Sequence, residues 1–190
     1  LERNSHASIE VVEVLADASD QLSTPRDLAF NPDSPDQLWV LNFATTSLPS
    51  AELREGGSMT VLHDADTDTP ISQHFWEGDG GSAHFMSNPS AFAFGLTSEM
   101  ASIHETREQT PLTAPGTPDE FMGPALHDTD LAVFKAGWSD HLDMLHDSPW
   151  GMGIAWDQER VYWVFDGFHS SLTRYDFGVP HPDVPGGHGG

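Results

Sequence analysis

The 190-residue chain has no cysteine, which excludes disulfides and thiolate metal sites. Basic residues are scarce: seven Lys and Arg stand against 30 Asp and Glu, a formal net charge of −23. Such a surface repels nucleic acid and anionic membranes, so neither is expected as a partner. It suits a secreted or periplasmic setting, a saline one included, where salt screens self-repulsion and divalent cations are at hand. A purely solubilising role for the acid is the other reading. No run approaches the ~18 apolar residues of a membrane span. The opening LERNSHASIE is not a signal peptide. There is no G-x-S-x-G nucleophile motif. What the chain does have is bulk: 37% hydrophobic residues, 10% aromatic, six of them Trp. That composition belongs to a globular chain, and this length to one domain with a core.

A repeat organises the sequence. TPRDLAF, NPSAFAF and SPWGMGIAW each place apolar, small and apolar residues after a proline, at Pro25, Pro89 and Pro149. The matched sets are Leu28, Phe92 and Met152, then Ala29, Ala93 and Gly153, then Phe30, Phe94 and Ile154. This is the alternation of a strand opened by proline. A second element, QLWVLN and VYWVFD, puts Trp39 and Trp163 each 14 residues past its proline. The middle copy, MASIHET, is degenerate. A third element reads SMTVLHD, DLAVFKA and SLTRYDF, and a fourth reads ISQHFWEG and AGWSDHLDML.

Four short strands per repeat of 40–60 residues read as propeller blades. The expected fold is all-β: a β-propeller of about three four-stranded blades, half of a six-bladed ring, because three blades do not close. The expected divisions are a spare outer strand over 8–15, blade 1 over 25–77 and blade 2 over 89–145 with an inserted loop at 107–130. Blade 3 runs over 149–177, and a Pro/Gly/His-rich tail follows over 178–190. A second copy, or a missing remainder of a longer chain, completes the ring. A fortuitous repeat in a β-sandwich is the alternative.

The stretch VFDGFHSSLTRYDF carries a family likeness. A strand ending in Asp166 is followed at fixed steps by His169, Leu172 and Tyr175, a pattern that resembles the NHL repeat, with a looser version at Asn42 and Thr45 before Ser58. NHL-like propellers include amidating lyases, lactonase-like enzymes and pure binding modules. The resemblance implies a ligand at the channel mouth, where the innermost strands open. In the lyases, zinc-binding histidines directly follow the blade-opening proline. Here those positions hold Arg26, Ser90 and Trp150, so the lyase metal site does not carry over.

Arg26, Ser90 and Trp150 are therefore the candidate ligand-binding residues. An arginine there can clamp a carboxylate or phosphate, or pair with Asp27. Eleven histidines beside many carboxylates suit a divalent metal, calcium or zinc. His84 and His146 approach the blade-opening prolines, and Asp147 adjoins His146. These could converge on one ion, or be separate surface residues. His169 is either a further ligand or a turn residue, with Asp166 bonding amides in the same turn. HDADTDTP sets Asp64, Asp66 and Asp68 at alternate positions, as calcium loops do, but Thr69 stands where the loop glycine belongs. A solvated acidic turn is the other reading. Ser82 and His84 lack an orienting acid. Arg107 is a second channel cation, Phe121 and Met122 are anchors of the long loop, and His181, Asp183 and His188 form a possible metal tract in the tail. The function expected is an extracytoplasmic NHL-like propeller that binds a divalent metal and a small-molecule or peptide ligand at the channel mouth, with no organic cofactor. A metal-dependent lyase or lactonase-type hydrolase and a protein-interaction scaffold are the alternatives.

Overall fold

The computed structural model describes residues 14–43, 57–76, 89–105, 123–134, 141–145, 148 and 150–179. They form three antiparallel sheets with almost no helix, and no sheet closes or curls on itself. The first sheet runs in the order β1 (Pro25–Asn31), β2 (Ser34–Asn42), β3 (Ser58–His63) and β4 (Ile71–Trp76). The second runs β5 (Pro89–Phe94), β6 (Glu99–His104), β7 (Ala125–Asp128) and β8 (His141–Met144). The third has β9 (Gly151–Gln158), β10 (Val161–Asp166) and β11 (Ser171–Asp176), with β10 in the middle. Each sheet is a meander, so every strand pairs with its chain neighbour. That order needs no crossover connection.

The sheets stack through their first strands, with β5 lying between β1 and β9. Ala29, Trp39, Leu41, Met59 and Val61 on the first sheet pack against Phe92, Phe94 and Met100 on the second. The other face of the second sheet presents Ala93, Ala101 and Leu126 to Tyr162, and Ala91 and Ile103 to Val164. Gly151 permits the close approach of β9 to β6, because a Cβ there would collide with the Ile103 side chain. Polar ties repeat across the stack. The Asp27 carboxylate accepts from the Phe92 amide at 2.9 Å, and Asp33 from the Ser98 amide at 2.7 Å. Arg160, in the β9–β10 turn, grips both oxygens of Glu99 at 2.9 Å.

The remaining face of the first sheet is partly covered by the segment before β1. Gln21 O accepts from Thr60, and Asp20 accepts from Ser72 Oγ at 3.2 Å. Asp17 caps the short 3-10 turn Ala18–Asp20 in that segment. Of the expected spare strand 8–15, only Val14 and Leu15 fall within the described residues, and neither is in a strand.

Three strand expectations need correction. DLAVF is not the third strand of the second repeat: Leu131–Phe134 is a single helical turn, α1. Asp130 starts it, its side chain accepting from the Ala132 amide and its carbonyl from Val133 and Phe134. Phe134 then sits edge-on to Trp39 and Phe75. The third strand is Ala125–Asp128, inside the stretch read as loop 107–130. MASIHET is no degenerate element either. It contains most of β6, which is buried along its whole length between two sheets, and such a strand loses polar alternation. Finally, the third repeat opens its strand at Gly151, not at Pro149, which lies outside the described residues. The openers Pro25, Pro89 and Gly151 pair with Asn42, His104 and Asp166. Each opening strand is irregular just past its opener, and counted from Pro25, Pro89 and Gly151 the equivalent small residues are Ala29, Ala93 and Ala155, facing Trp39, Ala101 and Trp163.

Candidate functional site

The strand-opening end of the stack gathers the sequence-predicted ligand residues. Arg26 is the second residue of β1. Its guanidinium lies 3.4 Å from Glu105, which follows β6, and 4.3 Å from the Phe43 ring centre. Both groups come from the residue after a sheet's second strand. The pair bridges two sheets and leaves Arg26 partly exposed. Arg26 does not pair with Asp27, whose carboxylate serves the second sheet instead.

Ser90 has a different duty. Its Oγ lies 2.6 Å from Gly151 O and 3.2 Å from Ile103 O, so its one proton joins β5, β6 and β9. A hydroxyl spent on two carbonyls is a fastening between sheets. Trp150 is half-exposed, with its backbone in the left-handed region at φ 54°. The Gly167 amide holds its carbonyl at 3.1 Å, and its ring meets Phe168 edge-on at 5.6 Å. The next residue, Gly151, lies against β6, where an added Cβ would meet the Ile103 side chain and the His104 carbonyl. The strand-opening rim thus carries two groups: Arg26, Phe43 and Glu105 between the first and second sheets, and the Trp150–Phe168 aromatic pair on the third.

His169 closes the β10–β11 turn. Its amide donates to Asp166 Oδ1 at 2.8 Å, and its ring Nδ1 lies 2.7 Å from Asp166 Oδ2. Asp166 is buried. Burial pushes its pKa up, but the His169 amide and ring, the Ser148 hydroxyl and the His169 charge outweigh that. The carboxyl is held below its ordinary range. Ser148 in turn meets the Tyr175 hydroxyl at 2.6 Å. These bonds fasten the β10–β11 turn.

The acidic turn between β3 and β4 carries Asp64, Asp66 and Asp68 on the surface. Asp64 has φ 53°, and its carbonyl takes the Thr67 amide and hydroxyl. The turn is closed by backbone and threonine bonds. Among the described residues no three His, Asp or Glu side chains cluster to hold a metal. His84, His146 and Asp147 lie outside the described residues, as do Ser82, Arg107, Phe121, Met122, His181, Asp183 and His188.

Sequence reasoning missed Phe43, Glu105 and Phe168. A signal was present: Phe43 follows Asn42 and Glu105 follows His104, and Asn42, His104 and Asp166 end the second strand of each repeat. No family model matches the chain, nor does any curated protein or solved structure.

Proposed function

We propose that the chain is part of a propeller-like ring of sheets and works as an extracytoplasmic binding module, without catalysis of its own. It takes a small molecule or peptide bearing a carboxylate next to an apolar group. The observation that carries this reading is the Arg26 rim. In a chain of net charge −23, a partly exposed guanidinium stands at the strand-opening end, stacked on Phe43, and the exposed rings of Trp150 and Phe168 stand at the same end of the third sheet. Glu105 holds Arg26 through a single long contact, which leaves donors of the guanidinium fork free for a carboxylate. The aromatic rings offer area for the apolar part at little entropic cost. The stacking of three meander sheets through their first strands supports the ring reading.

The test is a tryptophan-fluorescence titration with short peptides ending in Phe or Leu, as free acids and as C-terminal amides. The free acids should bind, and the amides should bind at least tenfold more weakly. Arg26→Gln should remove that preference, and Trp150→Ala should weaken both series. Equal binding of acids and amides, or an unchanged preference in Arg26→Gln, overturns the reading. Repeating the titration in chelator and in excess calcium or zinc tests the expected metal directly.

A further inference from the structure

The two ends of the stack expose the two halves of an interface that the chain already makes internally. Trp39 and Leu41 of β2 face the second sheet and are 0% exposed. By register their equivalents on β10 are Trp163 and Phe165, which are 37% and 59% exposed. Leu172, paired with Phe165, is 57% exposed on the same outward face. The opposite end is unfinished in the complementary way. Phe92 and Phe94 of β5 pack into the first sheet, and their β1 equivalents, Leu28 and Phe30, are 61% and 54% exposed. Charge follows the same division. Arg174, opposite Trp163 on β11, has no carboxylate partner among the described residues. The far face of the first sheet carries Asp17 and Asp20 in its covering segment.

We infer that the Trp163–Phe165–Leu172 face docks the Leu28–Phe30 face of a second copy of this chain, head to tail. The contact continues the internal sheet-to-sheet interface, and Arg174 meets the acidic covering segment. This rests on the ring reading above and names the occupant of the open ends. A head-to-tail contact uses different patches on the two partners. Two copies then form two equal junctions and close, where one self-complementary patch would form a single junction. Both patches are exposed at sites that the internal copies bury, so they differ from scattered surface apolar residues.

The experiment is sedimentation of the whole chain at 1–50 µM, on the order of ordinary dimer affinities. The expected particle has twice the 20.7 kDa mass of one chain. Phe165→Asp and Leu28→Asp should each give a folded monomer, with far-UV circular dichroism unchanged because both positions are exposed. Phe165→Leu should remain dimeric and control for folding. Mixing the two Asp variants should restore association at reduced affinity, because one junction in the mixed pair keeps both native faces. A wild-type monomer across this range overturns the second copy as occupant and leaves the ring reading standing. A dimer broken by Phe165→Asp but indifferent to Leu28→Asp, or no recovery on mixing, overturns head-to-tail docking and the ring reading together.

Discussion

Tyr162 offers the sharpest check on the packing between the second and third sheets. Its ring is fully buried, and its hydroxyl finds no hydrogen-bond partner among the described residues. A buried hydroxyl without a partner costs about 1–3 kcal/mol. Tyr162→Phe should therefore stabilise the fold by about 1 kcal/mol, roughly 2–4 °C in Tm for a chain of this size. Gly95 is the other half of the contact, because a Cβ added there would land on the Tyr162 hydroxyl and press on Trp156. Gly95→Ala should cost about 1–3 kcal/mol as overpacking. In the Tyr162→Phe background the oxygen is gone but the ring carbon remains close, so about half of that cost should be recovered. Urea and thermal unfolding followed by tryptophan fluorescence give all four corners of the cycle. The hydroxyl pKa is raised well above its ordinary 10.0, by burial first and then by the Glu99 carboxylate, with Arg160 opposing. A raised tyrosine pKa means stability that is complete below about pH 10 and lost as alkali is added. That alkaline loss should be smaller in Tyr162→Phe. If Tyr162→Phe destabilises by more than about 1 kcal/mol, the hydroxyl has a partner and the reasoning fails.

Two further perturbations probe the polar ties. Arg160→Met strands the nearly buried Glu99 carboxylate and should cost about 1.5–3 kcal/mol in urea unfolding, well above the ~0–1 of a surface pair. Arg160→Lys should recover only part, because the two-oxygen grip needs the guanidinium fork. Falling pH should erode stability in two windows. Burial lowers the His74 pKa, so its contribution is present above 6.5 and is lost as pH falls below that value. Asp166 is held below 3.8, so its share is lost only as pH falls beneath that. Tm measured from pH 8 to 3 should show both limbs, with the upper one flattened in His74→Gln and the lower one in Asp166→Asn.

The repeat was legible because meander sheets write themselves locally: proline openers, alternating apolar residues and turn signals lie within single repeats. β1, β2, β3, β4, β5, β10 and β11 stand where those signals put them. What escaped was decided by neighbours distant in sequence. β6 lost its alternation because sheets cover both its faces, and Ser102, polar in sequence, is absorbed by a 3.0 Å bond to His127. The β9 register escaped because Pro25 to Asn42 spans 17 residue steps (42 − 25) and Gly151 to Asp166 spans 15 (166 − 151), so equal Trp offsets from the two prolines mark unequal strand positions. Leu131–Phe134 has a strand-like composition, yet one capping aspartate turned it helical. For the site, strand positions predicted Arg26 and Trp150. Glu105 and Phe43, the partners that orient Arg26, required knowing which strand ends meet.

The strand-opening end has a common construction that bears on how it would recognise anything. Opposite each opener stands a buried polar residue: Asn42, His104 and Asp166. Asn42 donates to Thr60 at 3.0 Å and to Ser58 at 3.2 Å, and accepts from the Ser23 amide. Asp166 is held by the His169 turn. A buried polar group in this position is costly unless its partners are fixed, so each one pins the chain where its strand leaves the sheet. The next residue in each case is Phe43, Glu105 or Gly167. The first two position the Arg26 guanidinium, and the third holds the Trp150 carbonyl. The rim groups therefore stand next to buried polar residues at equivalent points of three sheets, two of which, Asn42 and Asp166, are held by several hydrogen bonds each. Preorganisation of this kind spares the ordering cost on binding. Loosening a support while sparing the rim, as Asn42→Ala would, should thus weaken the proposed carboxylate binding through Phe43 even though Asn42 touches no ligand.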